Sequence, residues 1–109
     1  MELDLKLIGR AVERETLANL DLGTWQALVT RARISRSTLN RVRLGERVSA
    51  GRYAKIERAF GWPDETITSI GLHDLHALAE IGAPADLMAF VTRELGKGND
   101  SVKNRPNVG

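Results

Sequence analysis

The apolar residues of this chain recur at helical spacing from its start to about residue 95. Residues 2–19 predict a first helix, with Leu5, Ile8 and Val12 on one stripe, Leu17 near its end, and Lys6, Arg10, Glu13 and Arg14 on the wet side. Gly9 costs that helix ~1 kcal/mol relative to Ala, so some bending is expected there. Asp21-Leu22-Gly23 breaks it. Two helix-length pieces follow, 24–33 and 35–44, joined at Arg33-Ile34-Ser35 with neither a proline nor a long loop, which is a helix-turn-helix layout. Leu28 and Ala32 lie one turn apart on the first piece, Leu39 and Val42 share a stripe on the second, and Ile34 can plug the corner between them. Thr24 and Ser35 stand at the two helix starts, where a hydroxyl can accept a bond from an unpaired N–H.

The pattern continues after a turn at Leu44-Gly45-Glu46-Arg47. Residues 50–60 predict a fourth helix with Tyr53, Ile56 and Phe60 inward and Gly61 as its stop. Trp62-Pro63 forces an extended residue, and Pro63-Asp64-Glu65 places acid in the first turn of a short fifth helix reaching about Ile70. Leu72, Leu75, Leu78 and Ile81 recur every third residue and predict a helix over 72–81; Gly82 ends it, and Pro84 starts a last helix carrying Leu87, Phe90, Val91 and Leu95. Two short helices cannot bury both stripes alone. They must dock on their own domain or on a second subunit, so 72–95 is a possible homodimer element. Gly, Asn, Asp, Ser and Pro dominate 96–109, which reads as a disordered tail. The expectation is an all-α protein with a five-helix domain over 1–71, a helical hairpin over 72–95 and a tail over 96–109.

Length and charge sharpen this picture. A chain of 109 residues fits one domain with an appendage. The absence of cysteine removes disulfides and thiolate metal sites and fits a reducing cytoplasm. No apolar run approaches the ~18 residues needed to cross a bilayer, so a soluble, cytoplasmic protein without a membrane partner is expected. The net charge is only +2, yet residues 24–58 hold nine Lys/Arg against Glu46 and Glu57, a local +7 flanked by acidic segments of −2 and −3. The basic charge is concentrated on the two-helix unit, as expected for a footprint on phosphates.

The second helix of that unit carries the chemistry. Arg36, Ser37, Asn40, Arg41 and Arg43 point away from the Leu39/Val42 stripe, and no residue from 35 to 44 is acidic. A solvated helix face usually mixes signs, so this one suits an anion. A guanidinium fork matches guanine O6 and N7, an Asn amide pairs with adenine, and Ser reaches a base edge or a phosphate.

Leu28, Ala32, Ile34-Ser35, Leu39, Val42, Leu44-Gly45-Glu46-Arg47 and Ile56 through Phe60-Gly61 together make residues 24–62 resemble the Cro/phage-repressor type of helix-turn-helix domain. The sequence departs from the family at Arg33, where the turn usually carries Gly, and at Val29, where a small residue is usual. A left-handed Arg33 would be strained by on the order of 1 kcal/mol. The resemblance implies a sequence-specific regulator acting on double-stranded DNA, of the phage or mobile-element repressor kind, that blocks a promoter by occupying its operator. Arg36, Ser37, Asn40 and Arg41 are the candidate base contacts. Thr24, Trp25, Gln26, Ser35, Thr38, Arg43 and Arg47 are the candidate backbone contacts, although capping explains Thr24 and Ser35 equally well and packing on the first helix explains Trp25.

Other classes find less support. His73 and His76 are three apart, compatible with two metal ligands, but the sequence places no further ligand, and no metal or cofactor is expected. There is no Gly-rich phosphate loop, nucleophile elbow or recognisable catalytic carboxylate pair, so neither an enzyme nor a small-molecule sensor is expected. The main rival is an interaction protein, such as an antitoxin, that uses the same kind of DNA-binding domain and gives its last helices to a protein partner.

Overall fold

The computed structural model describes residues 2–18 and 24–108, with side chains through Lys97. It is all-helical among these residues: α1 (Leu5–Ala18), α2 (Trp25–Ala32), α3 (Arg36–Arg43), α4 (Ala50–Phe60), α5 (Thr66–Gly71), α6 (Leu75–Glu80) and α7 (Ala85–Val108). The break expected at Asp21-Leu22-Gly23 lies outside the described residues.

One core joins all seven helices. Leu28, Ala32, Ile34, Leu39 and Val42 are buried together, with Ile34 filling the corner between α2 and α3. Tyr53, Ile56 and Ala59 of α4 and Ile67 and Ile70 of α5 extend the same cluster. Trp62 is buried as well, its ring 4.7 Å from that of the half-buried Phe60. Gly61 stops α4 with φ 76°, a left-handed conformation that glycine adopts without strain.

Gly9 does the opposite of what its helix propensity suggests. A Cβ there would lie 2.7 Å from the carbonyl oxygen of Val42 and 3.1 Å from that of Arg43. The missing side chain lets α1 lie backbone against backbone on the last turn of α3, and that contact offsets the propensity cost of ~1 kcal/mol. Leu7, Ile8, Ala11 and Val12 are the buried apolar side chains of α1, while Leu17 is 65% exposed and Leu5 only half-buried.

Three boundaries differ from the periodicity. Pro63–Glu65 is a turn and not the first turn of α5: the Thr66 hydroxyl donates to the Pro63 carbonyl at 2.7 Å, and Glu65 takes a left-handed φ of 71°. The start of α5 is instead covered by buried Glu57, whose carboxylate accepts the Ile67 N–H at 2.8 Å and the Glu65 N–H at 3.3 Å. Leu72 does not begin α6. It caps α5, exposed, and Asp74 starts α6 by accepting the Ala77 N–H at 2.9 Å, because a carboxylate can cap a helix and leucine cannot. Finally, α7 passes through Gly96 to Val108, where a disordered tail was expected. Gly96 does not take the left-handed conformation that would close the helix after Leu95.

The hairpin docks on its own chain. Leu78, Leu87 and Val91 are fully buried in the common core, α7 lies along α1, and Arg14 of α1 stacks over Phe90 with 5.6 Å to the ring centroid. Arg10–Glu94 at 3.0 Å and Arg14–Asp86 at 3.4 Å line the same seam. Of the two apolar stripes that raised the question of a second subunit, Leu78, Leu87 and Val91 are covered within the chain, Leu75, Ile81, Phe90 and Leu95 are partly buried, and Leu72 is exposed. No helix among the described residues is long and apolar enough to cross a membrane.

Candidate nucleic-acid interface

The turn between α2 and α3 is set by three local interactions. Thr24 caps α2, its hydroxyl oxygen accepting the Ala27 N–H at 3.1 Å. Arg33 closes α2 in the left-handed region (φ 58°, ψ 46°), the conformation its turn position implied. Ser35 then caps α3, accepting the Thr38 N–H at 3.0 Å and donating to the Thr38 hydroxyl at 2.9 Å. Both helix starts thus use the capping bonds anticipated from sequence. Thr38, a candidate backbone contact, turns inward instead: it is 8% exposed and belongs to the cap.

This geometry sets out one face. Arg36, Ser37, Asn40, Arg41 and Arg43 are all exposed, while Leu39 and Val42 are sealed beneath them. Arg36, Asn40 and Arg43, spaced i, i+4 and i+7, form a stripe ~10 Å long at 1.5 Å per residue. Ser37 and Arg41 form the stripe beside it.

A depression lies on each side of α3. On the α2 side, Trp25, Gln26, Arg36, Asn40 and Arg43 surround a floor of Val29 and Leu39. Here Arg36 donates from Nε and Nη2 to the Gln26 amide oxygen, at 3.1 and 2.5 Å, and the Arg43 guanidinium carbon stands 4.0 Å from the Trp25 ring centroid. On the α4 side, Ser35, Ser37, Arg41, Arg47, Ser49 and Arg52 line a polar groove. Neither depression has a carboxylate in its lining.

Charge pairing divides the molecule the same way. Every ion pair among the described residues lies outside 24–58: Arg10–Glu94, Arg14–Glu15, Arg14–Asp86, Lys97–Glu94, His73–Asp4 and His76–Glu80. Of the two acids within 24–58, Glu57 is buried beneath α5, and Glu46 is exposed in the turn after α3. Burial holds the Glu57 carboxyl above its usual range, with Asp64 and Glu65 adding to the rise and the two N–H groups it accepts opposing it. On the α2–α3 face Arg36 therefore meets a neutral amide and Arg43 an aromatic ring.

Ser49 and Arg52, which the sequence pattern did not single out, also line the α4-side groove. Arg52 donates to the Ser49 hydroxyl at 3.2 Å, and that hydroxyl makes no capping bond to α4. The available signal was an arginine and no acid in the first turn of α4, the reverse of the usual dipole preference. The two histidines do not converge: His73 precedes α6 and meets Asp4 at 2.7 Å, while His76 meets Glu80 at 2.7 Å. Among the described residues no group of three or more His, Cys, Asp or Glu is placed to hold a metal.

Comparison with protein-family models, curated proteins and solved structures gave no match. A functional reading rests on the residues themselves.

Proposed function

We propose that the chain is a sequence-specific regulator of double-stranded DNA, a repressor-like helix-turn-helix domain of five helices followed by a hairpin that braces it. The supporting observation is the exposed face of α3, none of whose own residues is acidic, where cations, an amide and a hydroxyl stand together over a sealed apolar stripe. A protein surface that holds this many cations without carboxylate partners is arranged for an external polyanion.

In this reading α3 enters the major groove. Arg36, Ser37, Asn40 and Arg41 read base edges. Thr24, Trp25, Gln26, Ser35, Arg43 and Arg47 lie along the flanks, where helix starts and basic side chains meet phosphates, and Ser49 and Arg52 join them. Occupancy of an operator then excludes polymerase from an overlapping promoter. Burial of Leu78, Leu87 and Val91 within the chain weighs against a homodimer through 72–95.

Selection of bound duplexes from a random pool tests the reading, with a consensus enriched over several rounds as the expected result. Affinity for that consensus should fall steeply with salt, and Arg47→Ala should lower the slope of log K against log salt by ~0.9 on every sequence alike. Failure to enrich any sequence at physiological ionic strength would sink the proposal.

A further inference from the structure

We infer that the opening turn of α2 is part of the specificity machinery, with Gln26 and Trp25 acting as positioning residues that hold Arg36 and Arg43 in their DNA-binding geometry before DNA arrives. This rests on the DNA-binding reading above and adds to it where recognition is encoded. The sequence places recognition on α3 alone, with Gln26 and Trp25 as backbone contacts.

The Arg36–Gln26 geometry is specific. An arginine carries five N–H donors in a rigid planar fork. Gln26 Oε1 accepts from Nε and from Nη2, which occupies one edge of that fork. The edge formed by Nη1 and the second Nη2 hydrogen stays open, and that pair of donors matches guanine O6 and N7. Because glutamine is neutral, the positive charge remains available to the anion. A free arginine on an exposed helix would instead lose rotamer freedom on binding, so fixing it beforehand favours the one base it fits.

Trp25 holds Arg43 by a different contact. The indole covers one face of the guanidinium at 4.0 Å, and stacking leaves the in-plane N–H groups free. Trp25 and Gln26 are adjacent in sequence, so one helical turn sets the ends of the Arg36–Asn40–Arg43 stripe. Two neighbours on α2 thereby fix two arginines on α3 that are seven residues apart.

The experiment profiles base preference for the wild type and for Gln26→Ala, Gln26→Glu and Trp25→Phe in the full-length chain, on the selected consensus and on random duplex. Gln26→Ala should reduce discrimination at a single base pair by roughly tenfold, with affinity for the consensus falling clearly more than affinity for random duplex. Gln26→Glu keeps the acceptor but pairs the charge, so it should weaken binding to every sequence and lower the salt slope by ~0.9. Trp25→Phe keeps a ring under Arg43 and should retain the wild-type base preference. An unchanged preference profile for Gln26→Ala, or an equal loss on consensus and random duplex, overturns the inference while leaving the DNA-binding reading intact. A wild type with no preference to profile overturns both.

Discussion

Arginine does two different jobs in this molecule, and the α1–α7 seam and the α2–α3 face separate them. At the seam, Arg10 meets Glu94 at 3.0 Å, and Arg14 meets Asp86 and stacks on Phe90. On the face, Arg36 meets Gln26 and Arg43 meets Trp25, both uncharged. A carboxylate partner cancels the field of an arginine and commits it to holding two helices together, whereas an amide or indole fixes the side chain and leaves its charge for a ligand. The identity of the partner tells the two roles apart.

The two regions touch at Gly9, which makes that contact the place to break the distinction most severely. Gly9→Val puts atoms where the Val42 and Arg43 carbonyls already stand, so α1 must lift from α3. The expected cost is about 3 kcal/mol of stability, the upper end for overpacking. The midpoint of urea unfolding measures it. DNA affinity should fall with it, because the last turn of α3 moves; full stability in this variant would contradict the close approach.

The next largest effect should discriminate the regions directly. Arg41→Ala removes a guanidinium from the α4-side groove, where Arg47 and Arg52 also stand. Loss of ~1–3 kcal/mol on the consensus, with a smaller loss on random duplex, is expected if Arg41 reads a base. Equal losses on both would move Arg41 from base readout to phosphate contact, and the face would then attract DNA without reading it at that position.

Much of this arrangement was legible in the sequence because it is local. Thr24 and Ser35 cap helices through bonds spanning three residues, and Arg33 takes the left-handed conformation that the sequence raised as one of two ways to make its turn. Leu28, Leu39 and Val42 could be assigned to the core from periodicity alone. What escaped depends on contacts across the chain. The need for a glycine at position 9 comes from α3, more than thirty residues later. Gln26 reads as a backbone contact until Arg36 is folded against it. Leu72 fits a three-residue apolar repeat, but Asp74 caps more effectively and starts α6 later. Thr38 looked available because the pattern shows which side of a helix is polar, not which hydroxyl its own cap will consume.

Glu57 tests the interior beside these charged surfaces, with a smaller expected effect and a definite sign. Its carboxyl is buried and held above its ordinary value of 4.5, so the folded chain keeps the proton to higher pH than the unfolded chain does. Stability from this group is therefore fully present below 4.5 and is lost as pH rises through the elevated folded value. Glu57→Gln should flatten that part of the stability profile. Asp4 runs the other way. Burial tends to raise its carboxyl, but the bonds from His73 and the Leu7 N–H, with the charges of His73 and Arg10, outweigh burial and hold it below 3.8. Its contribution is present above 3.8 and is lost as pH falls through the lowered folded value, so the two acids are separable by variant as well as by pH.

The smallest effect is also the sharpest test of whether partner identity matters more than position. Arg10 is paired to Glu94, yet it shares a shallow groove with Glu13, Asn40 and Arg43, closer to the face than the rest of the seam. Glu94 also accepts Lys97 at 3.1 Å, so Glu94→Gln removes the opposing charge from two cations at once. Such surface pairs contribute between nothing and ~1 kcal/mol, so folding should hardly change. DNA affinity is where the outcome bears on the comparison. If Arg10 is committed to α7 by geometry as well as by charge, random-duplex affinity and its salt slope stay at wild-type values. A slope steeper by ~0.9 would mean that Arg10, once unpaired, reaches a phosphate. The seam would then be a reserve of the same basic surface, withheld from DNA by one carboxylate.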